Sequence, residues 1–218
     1  MTSVVNPAIS SFTPSHPFFT LKIDLAVRLL LGLLLAFAIA ASVGLGTTLL
    51  ALQEGTPFGA FSVGPWTSWP RTGTADIDPY ARALIARSGE LPMGAGDGIA
   101  FVANKDDDGK TLDGRCDVMI SGVTPQARFW TVTLYDPEGK LVGNSLSRYG
   151  FSSQEVVRNS EGAIEIAVAP RARAGNWLPT GGTERYMLVF RFYDSPAGVA
   201  SRTGRETPMP SVKVKSCT

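Results

Sequence analysis

The chain has 218 residues, with 20 basic and 19 acidic side chains, one histidine and two cysteines. A chain of this length fits one globular domain plus additional segments. Charged residues make up 18%, below the usual quarter, and the near-balance of charge argues against a nucleic-acid partner, which would call for a basic face.

In chain order, residues 1–28 are polar, contain proline and show no periodicity, as expected of a short cytoplasmic tail. Residues 29–52 contain no charged side chain. As a helix this run is about 36 Å long, at roughly 1.5 Å per residue, enough to cross a hydrocarbon core of about 30 Å with some tilt. Its hydroxyls, Ser42, Thr47 and Thr48, can be returned to the helix's own carbonyls. Lys22 and Arg28 precede the run, and the next basic residue after it is Arg71. Basic residues stay on the cytoplasmic side, so the N-terminus is expected inside and the remainder outside, in the periplasm if the membrane is a bacterial inner membrane. Ala38-Ile39-Ala40 offers a small-x-small cleavage pattern. The apolar run continues well past it, however, and an uncleaved anchor is expected; either reading exports the same domain. Lys22, Arg28 and Asp24 precede residue 53, so the exported charges balance at 18 of each sign.

Residues 53–75 read as a linker and domain entrance, with Trp66 and Trp69 placed either at the membrane interface, like an aromatic belt, or against the domain. Residues 76–218 read as the exported domain. Asp78-Pro79 is a helix start, a capping side chain followed by proline at the first helical position. The helix runs through Arg87 with Tyr80, Ala83, Leu84 and Arg87 on one face, and Ser88-Gly89 ends it. Strands follow. Residues 99–103 are apolar. Cys116, Val118 and Ile120 alternate on one face. In residues 127–135, Trp130, Val132 and Leu134 point one way, and Phe129, Thr131, Thr133 and Tyr135 the other. Ile164, Ile166 and Val168 alternate. Residues 186–193 are apolar on both faces except Arg191, the mark of a central strand. Val212 and Val214 alternate with Lys213 and Lys215, which suits an edge. Asp108-Gly109, Asp113-Gly114, Pro137-Glu138-Gly139 and Glu161-Gly162 are turn signals. The fold class expected is mainly β: an antiparallel, jelly-roll-like β-sandwich with one short helix, preceded by a single transmembrane helix. Cys116 and Cys217 are an even count in an oxidising compartment and are expected to form a disulfide.

Five phrases occur in order: Asp78-Pro79-Tyr80-Ala81-Arg82-Ala83, Gly89-Glu90-Leu91-Pro92, Ala127-Arg128-Phe129-Trp130-Thr131, Gly175-Asn176-Trp177-Leu178-Pro179 and Arg191-Phe192-Tyr193-Asp194, with a final Cys217. Together they resemble the bacterial family called domain of unknown function 1214, over roughly residues 70–218. The resemblance implies a jelly-roll β-sandwich. It also implies that in longer relatives the domain follows a partner domain, in whose place a membrane anchor stands here. It carries no reaction and no catalytic residues.

The residues themselves limit the chemistry. The one histidine, His16, falls in the predicted tail, so the exported domain lacks an imidazole for Ser-His-Asp or Cys-His catalysis or for metal ligation. No metal and no cofactor is expected. Asn104-Lys105-Asp106-Asp107-Asp108-Gly109 has the spacing of half a calcium loop, but Arg115 stands where the closing Glu belongs; an acidic hairpin turn is the preferred reading. Asp136, Glu138, Glu155, Glu161 and Glu165 are the carboxylates available for glycosidase-like work. Asn176 and Trp177, read as loop residues, can offer a stacking face beside an amide. Arg128, Arg148, Arg158 and Arg191 can add anion-binding forks. Arg191 stands out because it interrupts an apolar strand. Against ligand binding stands a structural role: a Trp plug, and an Arg paired with a carboxylate. The function expected is a binding or interaction module of the envelope, taking a partner protein or a glycan. A carboxylate-based envelope hydrolase and a structural oligomeric membrane subunit are the alternatives.

Overall fold

The structure, a computed structural model, describes residues 17–53, 59–88, 91–94, 96–202 and 207–217. His16 and the Gly89-Glu90 pair lie outside them. Two compact units divide the chain at Gln53.

The first unit is helix α1, Pro17–Gln53. It starts well before the apolar run, with proline at its first position, where the missing N–H costs nothing. Within it, Asp24–Leu50 is long and apolar enough to cross a membrane. Leu29, Leu33, Phe37 and Leu45 are among the many large apolar side chains exposed along it, which a core helix of a water-soluble protein would bury. The hydroxyls bond as expected: Ser42 Oγ donates to Ala38 O at 2.7 Å, Thr47 Oγ1 to Val43 O at 2.8 Å and Thr48 Oγ1 to Gly44 O at 2.8 Å. Arg28 is paired with Asp24 one turn earlier, at 2.9 Å.

The second unit is the β domain. Its elements are β1 (Phe61–Val63), β2 (Trp66–Ser68), α2 (Pro79–Ser88), β3 (Gly98–Ala103), β4 (Cys116–Gly122), β5 (Phe129–Tyr135), β6 (Gly150–Ser152), β7 (Ile164–Ala169), β8 (Asn176–Pro179), β9 (Met187–Tyr193), α3 (Ala197–Arg202) and β10 (Ser211–Cys217). They form a six-stranded sheet in the order β1-β2-β3-β9-β5-β6 and a four-stranded sheet in the order β10-β4-β7-β8. Phe101, Trp130, Phe190 and Phe192 of one sheet and Val118, Ile120, Ile166 and Val168 of the other meet in one buried core, so the two sheets form a sandwich. The Trp130 and Phe190 rings lie 5.1 Å apart and Phe190 stacks on Phe192, also at 5.1 Å. As expected, β9 is central and β10 is an edge.

Helix α2 starts where the sequence places it: Asp78 Oδ1 accepts from the N–H groups of Tyr80 at 3.0 Å and Ala81 at 2.9 Å. Ala81 is buried and Ile85 half-buried while Tyr80 and Ala83 are exposed, so the inward face carries the i, i+4 pair beside the one read from the sequence.

Four features differ from the expectation or extend it. Trp66 belongs to a hairpin, β1–β2, and is fully buried; its Nε1 donates to Pro210 O at 2.6 Å and its ring meets Phe190 edge-on at 5.2 Å. It packs on the domain, not at a membrane interface. The segment Gly175-Asn176-Trp177-Leu178-Pro179, read as a loop, contains strand β8, which runs parallel to β7 with Ala167 opposite Trp177; among the described strands the other pairings are antiparallel. Helix α3 is a second short helix of the domain. Finally, β6 adds an edge to the six-stranded sheet.

Three of the predicted turns share one construction. In Asp106-Asp107-Asp108-Gly109-Lys110, Asp136-Pro137-Glu138-Gly139-Lys140 and Asn159-Ser160-Glu161-Gly162-Ala163, the first side chain accepts from the N–H of the fifth residue, at 2.8, 2.8 and 2.9 Å. The glycine lies at φ of 81°, 80° and 80°, in the left-handed region that glycine enters without steric cost. Asn144 closes a fourth copy by accepting from Arg148 N at 3.0 Å, and there Ser147 takes the left-handed position at φ 51°.

Candidate functional site

The turn construction settles the acidic stretch first. Asp106 is buried, and its Oδ1 accepts from the N–H groups of Asp108 at 3.0 Å and Lys110 at 2.8 Å. Asp107 accepts from Val212 N at 3.2 Å and from the Ser211 hydroxyl, tying the turn to β10. These carboxylates close a hairpin. Among the described residues no group of three or more His, Cys, Asp and Glu side chains is gathered as metal ligands would be. Of the hydrolase candidates, Asp136 accepts from Lys140 N and Glu155 from Ser152 N and Oγ. Glu138 and Glu161 are exposed turn residues, and Glu165 is exposed on β7.

The strongest perturbation of a carboxyl lies elsewhere. Asp113 receives the Arg115 side chain at 3.0 and 2.6 Å and the Arg115 N–H at 2.9 Å. These bonds lower its pKa to about 2. The pair sits in the turn entering β4, where Gly114 is required: a Cβ there would stand 1.8 Å from Thr183 O.

Cys116 and Cys217 face each other directly across β4 and β10, with sulfurs at disulfide distance, 1.96 Å.

The five candidate ligand residues separate into three places. Asn176 and Trp177 stand on β8, at the edge of the four-stranded sheet. The Asn176 amide is buried and fully used: Oδ1 accepts from Val157 N at 2.8 Å, and Nδ2 donates to Val157 O at 2.7 Å and Glu165 O at 2.8 Å. The reverse amide orientation would set Oδ1 against two carbonyls, so the network fixes it. Trp177 is half-buried and donates Nε1 to Ala169 O at 3.1 Å. Arg148 comes to the same edge, donating Nη1 to Trp177 O at 3.1 Å while its guanidinium lies 5.7 Å from the Phe151 ring centroid. With Pro179 lacking an N–H, Arg148 helps to blunt the edge against further strand pairing. Arg128 is exposed just before β5. Arg158, also exposed, lies 5.6 Å from the Trp130 ring centroid and donates to Gly162 O at 2.8 Å.

Arg191 is apart from all of these, on β9, facing away from the core. Register places Ala100 and Thr131 beside it, Val102 and Thr133 beside Val189, and Tyr135 opposite Met187. Tyr135 is four residues beyond Thr131, roughly 13 Å along the strand. Yet Arg191 Nη1 donates to Tyr135 Oη at 3.1 Å and the guanidinium lies 5.3 Å from that ring's centroid. The side chain therefore runs along the sheet, over the Val189–Thr133 pair. That accounts for Val189 being only 4% exposed on an outward-facing position, since long cationic side chains cover apolar surface with their stems. Among the described residues the ion pairs join Arg28 to Asp24, Arg115 to Asp113 and Arg173 to Asp117. Arg191 has a phenol where the sequence called for a carboxylate. At the other end of this face Phe129 and Tyr193 oppose each other, ring centroids 5.8 Å apart. Tyr135 is the residue that sequence reasoning missed: its outward orientation was legible from the alternation of β5, but its meeting with Arg191 depends on the β5–β9 register.

Among solved structures, the VPA0106 protein from Vibrio parahaemolyticus superposes with a TM-score of 0.53 at 21% identity, covering 63% of this chain and 35% of that one. An uncharacterized protein from Burkholderia cenocepacia gives 0.44 at 16%, covering 62% and 33%. The chain thus spans about a third of the length of these structures, and the first shares its fold. No curated protein matches. Residues 97–197, from the turn before β3 to the start of α3, match the family described as "Protein of unknown function (DUF1214)", and three of the five ordered phrases fall within this stretch.

Proposed function

We propose that this protein is a membrane-anchored binding module of the bacterial envelope. Residues 29–52 cross the inner membrane, residues 1–28 lie in the cytoplasm, and the β domain that follows, hairpin β1–β2 included, is periplasmic. Three observations support the placement: the apolar span within α1, the basic residues before it, and two cysteines at disulfide distance, which suit an oxidising compartment.

The observation that carries the binding role is Arg191. A sheet face open to water reads polar, whereas β9 is apolar on its outward positions too, at Met187 and Val189. A guanidinium set in such a face, bonded to a phenol and to no carboxylate among the described residues, keeps donors for a partner. Asn176 and Trp177 spend their polar side-chain groups within the protein, and Arg148, exposed rather than set in an apolar face, gives Nη1 to Trp177 O; all three support the edge of the four-stranded sheet.

Native mass spectrometry of the full-length protein, released gently from detergent, tests the reading. Added mass in the wild type that is lost in Arg191→Met supports it. A clean mass in both, at a fixed oligomeric state, refutes it in favour of a structural subunit. Alkaline phosphatase fused at the C-terminus tests the placement: an active fusion is expected, and an inactive but stable one puts the domain in the cytoplasm.

A further inference from the structure

We infer that the outward face of the six-stranded sheet takes a monocarboxylate with an apolar or aromatic body, its head group held by Arg191 and Tyr135. This rests on the binding role proposed for Arg191 and adds the class of ligand.

The head group follows from the donors. Arg191 spends Nη1 on Tyr135 Oη, which leaves the Nε/Nη2 edge of the guanidinium without a protein acceptor among the described residues. That edge presents two parallel N–H groups, the geometry that a carboxylate accepts bidentately. Tyr135 accepts from Arg191 and so keeps its own O–H proton to donate. The hydroxyls of Thr131 and Thr133 lie on the same face and have no hydrogen-bond partner among the described residues. The neighbours of Arg191 across the ladder, Ala100 and Thr131, are short, so neither walls off the fork.

The charge of the head follows from its surroundings. Ala100, Val102, Thr131, Thr133 and Val189, the residues ranged about Arg191 by register, are uncharged. One guanidinium balances one negative charge. A phosphomonoester dianion would leave a second charge on apolar surface, which is costly unless paired. The body follows from the two ends of the face: Met187 beside Tyr135 at one, the Phe129–Tyr193 ring pair at the other. These offer apolar and edge-on aromatic contact and no further fixed charge.

The test uses the full-length protein in nanodiscs of zwitterionic lipid, with sodium 4-phenylbutyrate as probe and calorimetric titration as readout. Arg191→Met keeps the stem over Val189 and removes the fork; it is expected to weaken binding by at least about tenfold, the loss of a charge-assisted bidentate pair. Arg191→Lys, a point charge without the fork, is expected to recover only part of this, and Tyr135→Phe to lose roughly threefold. The neutral 4-phenylbutanol should bind at least about tenfold more weakly than the acid. Tighter binding of phenyl phosphate, abolished by Arg191→Met, would overturn the carboxylate class and leave Arg191 as the binding residue. Phenylbutyrate binding unchanged in both Arg191→Met and Tyr135→Phe would overturn the site itself, and no binding of any of the three probes by wild type would overturn both. If Arg191→Met does not fold, Tyr135→Phe and Thr131→Val carry the same comparison.

Discussion

Asn176 offers the sharpest separation of a structural role from a ligand-binding one. Its side chain joins the segment at Val157 to strands β7 and β8 through three hydrogen bonds of 2.7 to 2.8 Å, and the residue is 7% exposed. Each neutral bond contributes about 1 kcal/mol net. Val157 and Glu165 are themselves exposed, so water can reach part of the backbone groups that Asn176→Ala would orphan, and the loss should stay near the simple sum. We expect Asn176→Ala to destabilise the domain by about 2–3 kcal/mol, or roughly 4–12 °C in Tm at the 2–4 °C per kcal/mol usual for domains of this size. Asn176→Asp should be worse at neutral pH. It keeps the acceptor for Val157 N–H but sets a buried carboxylate against the carbonyls of Val157 and Glu165, so part of the loss should return as pH falls and the group protonates. Thermal unfolding of the full-length protein in detergent, followed by near-ultraviolet circular dichroism, measures both. A Tm change below about 1 °C for Asn176→Ala would show that the amide does not hold the edge together, and would return Asn176 to the list of ligand contacts.

Four further outcomes are expected. Tyr186 is buried, its hydroxyl has no hydrogen-bond partner among the described residues, and burial pushes its pKa upward; Tyr186→Phe should therefore stabilise by about 1 kcal/mol in denaturant titration, whereas a loss of that size would mean the hydroxyl is satisfied. Ser147→Gly should stabilise by about 0.5 kcal/mol, since relief at φ 51° outweighs the unfolded-state entropy of glycine; a destabilised variant would deny the strain. The lowered pKa of Asp113 gives stability that is fully present above the unfolded value near 3.8 and lost as pH falls through about 2. Arg115→Gln should thus be less stable than wild type above about pH 4, by a small amount because the pair is exposed, with the two stability curves merging toward pH 2; curves that stay parallel would contradict the pairing. Alkylation without reductant should leave Cys116 and Cys217 unlabelled, and reduction should cost up to about 4–5 kcal/mol for a loop of this size, 101 residues in sequence separation; full labelling of unreduced protein would show two free thiols.

How much of this fold was legible depended on where the information sits. Strands β4, β5, β7 and β10 announce themselves by period-two alternation, because each buries one face against the other sheet, and β9 by a run apolar on both faces. The central place of β9 and the edge place of β10 follow from whether the opposite face is apolar or carries lysines. Strand β8 escaped for a physical reason. Four residues bounded by Gly175 and a proline carry too few positions to show a period, and they become a strand only because β7 supplies a parallel partner at Ala167. Hairpin β1–β2 escaped for a related one: glycine, proline, serine and threonine around Trp66 have the composition of a linker, while the burial of that ring is decided by Pro210 and Phe190, far along the chain.

The candidate site repeats this division. Each of its residues was visible as a residue type out of place: an amide and an indole between glycine and proline, an arginine in an apolar strand. Residue type alone could not say which of them still had something to offer a partner. That is a matter of unspent hydrogen bonds, and hydrogen bonds are set by register. The pairing of β7 with β8 and the return of Val157 consume Asn176, and the β5–β6 connection brings Arg148 onto Trp177 O. The β5–β9 register, by contrast, lays Arg191 along a row of Val, Thr and Tyr with a single phenol to meet it. The same ladder that fixes the core therefore also sets Arg191 apart from the other arginines of equal standing in the sequence: Arg128, Arg148 and Arg158 are exposed, whereas Arg191 lies half-buried in an apolar sheet face.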